Sequence, residues 1–291
     1  MKDDDLDEDP ATEAETRAAL LANAKRDFVP IRKGFVQVPK SIATDPNRRA
    51  GPLSDFVVRK DRRGLDAFLI ILAATSSGGE AGDDWTTTHP IMVWARAFGT
   101  TRNAERSSAA NAVSKVMHRL EGHRLIERSR SGRERKIKVK LLREDGSGQA
   151  YTRPVGNEAS ERYLRLDHAY WEQDWQSRLT LPGLAMLLVA LCERQGFTLP
   201  AERVPGWYGW SADTAERGFA ELEEAGLLDK VKYRRKEPLS TNGYGMVNKY
   251  FLRPPFGTAD TKTVASAQLD AFFTNADAST TTEAKDEAAN R

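Results

Sequence analysis

The chain has 291 residues, 40% of them hydrophobic, and a formal net charge of +2 at pH 7. This length is enough for one large core or two ordinary ones. Its single cysteine excludes an internal disulfide, no apolar run has transmembrane length, and the start MKDDDLDEDP is acidic where a secretory signal is basic. We therefore expect a soluble cytoplasmic protein without a membrane partner.

The charge is divided unevenly along the chain. Eight acidic residues and one lysine give residues 1–16 a net charge of −7, and residues 257–291 carry −3. The part between them, 17–256, is left with +12. Both ends contain few large apolar residues, so the sequence predicts disordered acidic tails at 1–27 and 257–291.

The first half of the chain contains four predicted elements in a row: a strand, a helix, a shorter helix and a third helix. GFVQVP (34–39) is typical of a strand. Apolar residues at helical spacing predict a helix over RGLDAFLIILAATSSGG (63–79), and HPIMVWARAFG (89–99) suits a shorter helix. A third helix follows, with one apolar stripe formed by Val113, Val116, Met117 and Leu120.

The third helix leads into a predicted β-hairpin. Residues 127–142 read ERSRSGRERKIKVKLL, with a polar glycine turn in the middle. After the turn, apolar residues alternate with Lys136, Lys138 and Lys140, which gives the hairpin one apolar and one cationic face.

The second half repeats this order. RYLRLD (162–167) predicts a strand, LPGLAMLLVALCERQG (181–196) a helix, and PAERVPGWYG (200–209) a short helix. Residues 211–228 then repeat the stripe of the third helix, and 229–252 form two strand-like runs joined by a Pro/Gly loop. A repeat of this length predicts two similar domains, 28–145 and 161–256, joined by a linker at 146–160.

The two third-helix segments carry a resemblance to a known family. SADTAERGFAELEEAGLL (211–228) is similar to the recognition-helix pattern of the winged helix-turn-helix DNA-binding domains of bacterial regulators. NAVSKVMHRLEGHRLIER (111–128) resembles the same pattern, but Arg124 stands where the family has Gly. Since Gly122 comes two residues early, we expect that helix to end differently. The resemblance implies an α+β, mainly helical fold with two winged helix-turn-helix domains in tandem.

In such domains the third helix fits the major groove, and the hairpin beside it contacts phosphates or the minor groove. The first copy suits this role, because residues 96–143 contain fourteen basic and four acidic residues. We therefore expect double-stranded DNA as the partner of this copy. The predicted DNA-binding residues of the first copy are Arg102, Arg106, Asn111, Ser114, Lys115, His118, Arg130, Arg133, Arg135 and Lys136.

The second copy is less suited to reading DNA. Four carboxylates lie off its apolar stripe, and phosphates would repel them; they are Asp213, Glu216, Glu221 and Glu223. The hairpin after them is basic, so the expected DNA contacts of this half are Arg217, Arg234, Arg235 and Lys236. Four of the six tryptophans, at 171, 175, 207 and 210, either fill its core or form an interface, which leaves room for a homodimer.

No motif in the sequence predicts an enzyme. There is no phosphate-binding loop, no nucleophile in a recognisable setting, and the four histidines are too scattered for a metal site, so we expect neither a metal nor another cofactor. A bacterial transcriptional regulator is the first hypothesis for function. The alternatives are a replication initiator of a plasmid or other mobile element, some of which have similar tandem winged helices, and a protein-interaction adaptor built from winged helices.

Overall fold

The protein is α+β, as the sequence predicts, in a computed structural model that describes residues 10–76, 84–101, 105–131, 136–260 and 262–267. The helices are α1 (Glu13–Leu21), α2 (Leu53–Val58), α3 (Arg62–Ser76), α4 (Ile91–Ala97), α5 (Arg106–Gly122), α6 (Ala169–Glu172), α7 (Trp175–Arg178), α8 (Leu181–Cys192), α9 (Val204–Tyr208) and α10 (Ala212–Glu224). The strands are β1 (Phe28–Arg32), β2 (Thr86–Pro90), β3 (Ile126–Ser131), β4 (Lys136–Leu141), β5 (Tyr163–Asp167), β6 (Leu228–Lys236) and β7 (Tyr244–Leu252). None of the helices in these ranges has the length and hydropathy needed to span a bilayer.

The chain forms two compact units that are not consecutive in sequence. The first comprises Met1–Phe35 and Arg59–Arg178, and the second comprises Val36–Val58 and Leu179–Arg291. These bounds differ from the predicted domains 28–145 and 161–256. The reason is that β5 pairs with β1 in the first unit, and that residues 36–58 pack on the helices of the second.

In the first unit, α3, α4 and α5 surround a core of the predicted apolar stripes. The stripe residues of α3 and α5 are buried, among them Phe68, Leu72, Val113 and Met117. The predicted hairpin forms as β3 and β4, and Ile137, Val139 and Leu141 point inward as expected. The sequence did not predict β2, a threonine-rich strand before α4, which adds to the hairpin in the order β2-β4-β3.

The strand predicted at GFVQVP is wrong, and the strand predicted at RYLRLD is confirmed. The chain at Lys33–Phe35 is a short 3₁₀ helix, and the strand before it is β1, with the sequence FVPIR. β1 pairs antiparallel with β5, from Phe28 opposite Asp167 to Arg32 opposite Tyr163. A two-stranded sheet has only edge strands, and an edge strand tolerates the proline of β1.

The second unit has the same order of elements: α8, the short α9, α10, then the hairpin β6–β7. At the place that β2 occupies in the first unit, the second unit has a single β-bridge, between Phe197 and Tyr250 of β7. The segment 36–58 joins this unit through main-chain contacts, since Arg49 donates its N–H to the carbonyl of Gly206 at 2.8 Å. The Arg49 guanidinium also lies 5.0 Å from the ring centroid of Trp207.

Parts of the predicted tails and of the predicted linker are folded. Within the predicted tail 1–27, α1 is a helix whose N-terminus is a capping box of Thr12 and Glu15. In the predicted tail 257–291, the side chains of Ala259 and Val264 pack on the β6–β7 hairpin. The predicted linker 146–160 contains Tyr151, which is only 3% exposed, so this segment packs on the first unit. Residues 1–9 and 268–291 lie outside the described residues.

The two third helices end in the same way. After α5, Leu125 N–H donates to Leu120 O and Arg124 N–H to Glu121 O, and after α10 the amides of Leu227 and Gly226 do the same. Arg124 and Gly226 are both left-handed, with φ of 57° and 71°. The expectation that α5 would end differently is therefore wrong. At this position Arg124 adopts a left-handed conformation that glycine adopts with less steric strain.

We expect Arg124→Gly to stabilise the protein by about 0.5–1 kcal/mol, because relief of left-handed strain outweighs the extra entropy of an unfolded glycine. The matched control is Gly226→Ala. No atom lies within 4 Å of a Cβ built there, so only the backbone conformation is tested. Urea unfolding should show a higher free energy of unfolding for Arg124→Gly and a lower one for Gly226→Ala. A loss of stability in Arg124→Gly would contradict the inferred backbone strain at Arg124.

Candidate nucleic-acid interface

The face of α5 opposite its apolar stripe is polar and exposed. Asn111, Lys115 and His118 are exposed along this face, and Arg106 is exposed at its first turn. Because Val113, Val116, Met117 and Leu120 bury the other side, the helix cannot turn this face inward. The structure thus brings three of the predicted site residues, Asn111, Lys115 and His118, onto one side of α5, while Arg106 lies towards α1 and α4 beside Arg17 and Arg96.

A groove of about 880 Å³ runs between α5 and the start of α3. Asn111 and Lys115 line it from α5. From the other side it is lined by Lys60 and Arg63, which the sequence analysis did not single out. The basic cluster RKDRR at 59–63 could have identified these two residues, but it lies outside the segments that resemble the recognition helix.

Two of the arginines that line the groove are held by carboxylates. Arg119 donates to Asp61 from Nε at 2.6 Å and from Nη2 at 2.9 Å. Arg62 donates from Nε to Asp66 at 2.6 Å and from Nη2 to the main-chain carbonyl of Gln176 at 2.7 Å. In the part of the chain that the structure describes, the side chains of Lys60, Arg63 and Lys115 have no hydrogen bond or ion pair. The groove therefore presents three uncompensated cations.

Asp61 organises the wall of this groove. It accepts a hydrogen bond from the Gly64 N–H at 2.9 Å, which caps the first turn of α3, and it holds Arg119. Burial opposes ionisation of Asp61, but the hydrogen bonds from Arg119 and Gly64 outweigh it and lower the pKa of this carboxyl. The carboxylate is therefore ionised at neutral pH and joins α3 to α5.

Two predicted residues of α5 have local partners. The Ser114 hydroxyl donates to the Ala110 carbonyl at 3.1 Å, so its proton is used within the helix. His118 is exposed and its Nδ1 lies 3.9 Å from the Glu121 carboxylate. Neither residue lines the groove, so Asn111 and Lys115 are the better placed pair.

The β3–β4 hairpin adds cations next to α5 in sequence. Arg130 is exposed on β3, and Lys136 begins β4 with a half-buried side chain. Lys138 and Lys140 are paired loosely with Asp84 at 3.5 Å and Glu127 at 3.7 Å. Three more predicted contacts, Arg102, Arg133 and Arg135, lie outside the described residues.

On α10 the predicted acidic face is smaller than expected. Glu221 accepts hydrogen bonds from the main-chain N–H and the hydroxyl of Thr180, at the start of α8. Glu223 is half-buried beside Lys230. The exposed carboxylates are those of Asp213, Glu216 and Glu224, and Arg217, the cation of this face, is paired with Asp213 at 3.1 Å. The face remains acidic.

The β6–β7 hairpin carries a cluster of cations in the second unit. Arg235 and Lys236 are exposed, and the Arg234 guanidinium lies 4.1 Å from the ring centroid of Tyr244. Lys249 stacks in the same way on Tyr233 at 3.7 Å. These stacked pairs hold the two cations in place on the hairpin.

The tryptophans are mostly core. Trp171, Trp175 and Trp210 are buried, while Trp207 is half-buried under Arg49. Trp171 and Trp175 belong to the first unit, not to the second as the sequence suggested. The interface interpretation therefore loses its main residues.

The described residues contain no group of histidine, cysteine and carboxylate side chains that could hold a metal ion. Cys192 is partly exposed at the end of α8. The chain matches no family model, no curated protein and no solved structure at significance. Its own residues therefore carry the functional argument.

We expect Asp61→Asn to lower the free energy of unfolding by about 0.5–1 kcal/mol at pH 7, from the loss of the partly exposed ion pair with Arg119, because the asparagine oxygen still caps α3. The pKa of Asp61 is lowered on folding, so its contribution is present above the unfolded pKa of about 4 and is lost as pH falls below it. The difference in unfolding free energy between native and variant should accordingly shrink from pH 7 towards pH 3. A difference that is constant over this range would contradict the role of the carboxylate.

Proposed function

We propose that the protein binds double-stranded DNA sequence-specifically as a transcriptional regulator, and that its two units are winged helix-turn-helix domains. The order of elements supports the fold part of this proposal. Each unit has a long helix, a short helix, a third helix and a β-hairpin, in that order. In the first unit a strand between the first two helices completes a three-stranded sheet.

The observation that carries the proposal is the groove beside α5. It combines an amide, Asn111, with the three cations Lys60, Arg63 and Lys115, which no described residue neutralises. An amide can pair with the adenine edge and a lysine with guanine, while neighbouring cations contact phosphates.

The second unit contributes differently in this proposal. Its α10 exposes Asp213, Glu216 and Glu224, which phosphates on both sides of a major groove would repel. Its β6–β7 hairpin carries a cluster of cations. We infer that the first unit reads base sequence through α5 and the second holds DNA through its hairpin.

The sites that the protein selects would separate the regulator from its alternatives. Genomic fragments retained by the full-length protein can be sequenced. A single palindrome near promoters supports the regulator, whereas repeats spaced by whole helical turns support a replication initiator. If the protein retains no duplex at any salt concentration, the protein-interaction adaptor becomes the remaining hypothesis.

We expect duplex affinity to depend steeply on salt. If about five phosphates are neutralised, a plot of log affinity against log salt should have a slope of about −4 to −5. Fluorescence anisotropy of a labelled duplex, measured at salt concentrations from about 50 to 200 mM, gives this slope. A slope near zero would remove the electrostatic basis of the proposal.

We expect α5 and the hairpin to have separable effects. Asn111→Ala and Lys115→Ala should each cost on the order of 1–3 kcal/mol at a contacted base pair and relax the sequence preference. Arg130→Ala and Lys136→Ala, on the hairpin, should weaken all duplexes about equally.

The measurement is a comparison of selected and scrambled duplexes for each variant. Arg162→Ala is the matched control, since it removes an exposed arginine that belongs neither to α5 nor to the hairpin. A loss of sequence preference from the hairpin variants alone would reverse the assignment.

A further inference from the structure

The turn at the end of the β6–β7 hairpin exposes apolar side chains. Leu239 is 101% exposed, and the neighbouring Pro238 is exposed as well. Met246, on β7 of the same hairpin, is 54% exposed. A leucine at the end of a projecting hairpin buries nothing and so contributes nothing to the core. A binding role would account for it.

The turn holds Leu239 in a defined position. The Glu237 N–H donates to the Gly243 carbonyl at 2.8 Å, and the Ser240 N–H donates back to Glu237 at 2.9 Å. The Ser240 hydroxyl also donates to the carbonyl of Tyr244 at 3.1 Å. Pro238 restricts the backbone next to Leu239. The apolar tip is therefore preorganised, which lowers the entropy lost on binding.

The charge around this tip selects the kind of partner. Residues 230–250 contain six basic residues and one acidic residue. Lys232, Arg234 and Lys236 alternate along β6 and so share one face of the hairpin, where Tyr244 supports Arg234. These cations suit an anionic partner, and in a nucleic acid the phosphates can contact the cations while the bases contact the apolar tip.

We propose that Leu239, supported by Pro238, is a wedge that inserts between stacked base pairs of duplex DNA from the minor groove. This inference rests on the proposed DNA-binding function and extends it to the second unit. Leucine and proline are side chains that partially unstack a base step and kink the duplex in this way.

The hairpin is long enough for this contact. Val231 is the last buried residue of β6. Residues 232–236 extend about 16 Å beyond it, at ~3.3 Å per residue, before the turn begins. The minor groove is about 7.5 Å deep, so the tip can reach its floor while the lysines and arginines remain at phosphate level. Flexible pyrimidine–purine steps such as TA cost least to unstack, and the wedge should prefer them.

The test uses the full-length protein and a 30-bp duplex, about three helical turns, with a central TA step whose adenine is replaced by 2-aminopurine. Anisotropy of an end label measures binding at low salt, and 2-aminopurine fluorescence reports unstacking. At saturation the native protein should raise this fluorescence about twofold or more. Leu239→Ala should lose most of that rise while its affinity falls less than about tenfold, and Leu239→Phe should retain the rise.

Ile42→Ala is the matched control, because Ile42 is another exposed apolar residue of the second unit, outside the hairpin. It should behave like the native chain. If the native protein binds the duplex without a rise in fluorescence, or if Leu239→Ala gives the native rise, the wedge is refuted and the DNA-binding proposal stands. If the native protein binds no duplex, both fail.

Sedimentation of the same variants tests the competing partner. Loss of self-association in Leu239→Ala, with unchanged 2-aminopurine fluorescence, would make Leu239 a contact between two copies of the chain and would overturn the wedge.

Discussion

The first unit depends on one buried guanidinium. Arg32, at the end of β1, is 0% exposed, and so is its partner Glu144. Its Nη1 lies 2.6 Å from Glu144, while its Nη2 lies 2.9 Å from Glu161 and donates to the Thr152 carbonyl at 2.7 Å. A buried arginine is tolerated only when its donors are satisfied, because one lost partner leaves an uncompensated charge at a cost of several kcal/mol.

This requirement determines the path of the chain between the two repeats. Glu144, Thr152 and Glu161 must all reach the same guanidinium, so residues 144–161 cannot act as a free linker. The same constraint places β5 beside β1 and fixes the chain immediately after β4. The β3–β4 hairpin ends three residues before Glu144, and its register leaves Lys136, Lys138 and Lys140 on the face opposite its buried residues.

Regular periodicity made the central elements predictable. The stripes of α3, α5, α8 and α10 and the alternation in β4 follow from local burial, which residue spacing records directly. β1 was missed because its sequence contains proline and ends in a charged residue whose burial depends on partners more than a hundred residues away. α1 was missed because the net charge of the N-terminal segment obscured the capping box at Thr12 and Glu15.

The site was predictable to a similar degree. Asn111 and Lys115 follow from their position off the apolar stripe, since any exposed residue of a third helix faces away from the core. Lys60 and Arg63 do not follow, because only the packing of α3 against α5 brings them to the same groove. Glu221 was assigned to the acidic face because sequence spacing does not show that Thr180 lies within hydrogen-bonding distance of it.

The two units show which features of this arrangement can vary. Both keep the apolar stripe of the third helix and the left-handed residue after it, since these set how the helix ends and the hairpin begins. The exposed face of the third helix takes no part in the core or in the helix end, so its charge can differ: it is cationic in α5 and acidic in α10. In the second unit a cluster of positive charge lies on the hairpin. In the proposed function, even a weak grip by that hairpin raises the effective concentration of DNA at α5, because the units share one chain. That proposal divides base reading and backbone holding between the two units.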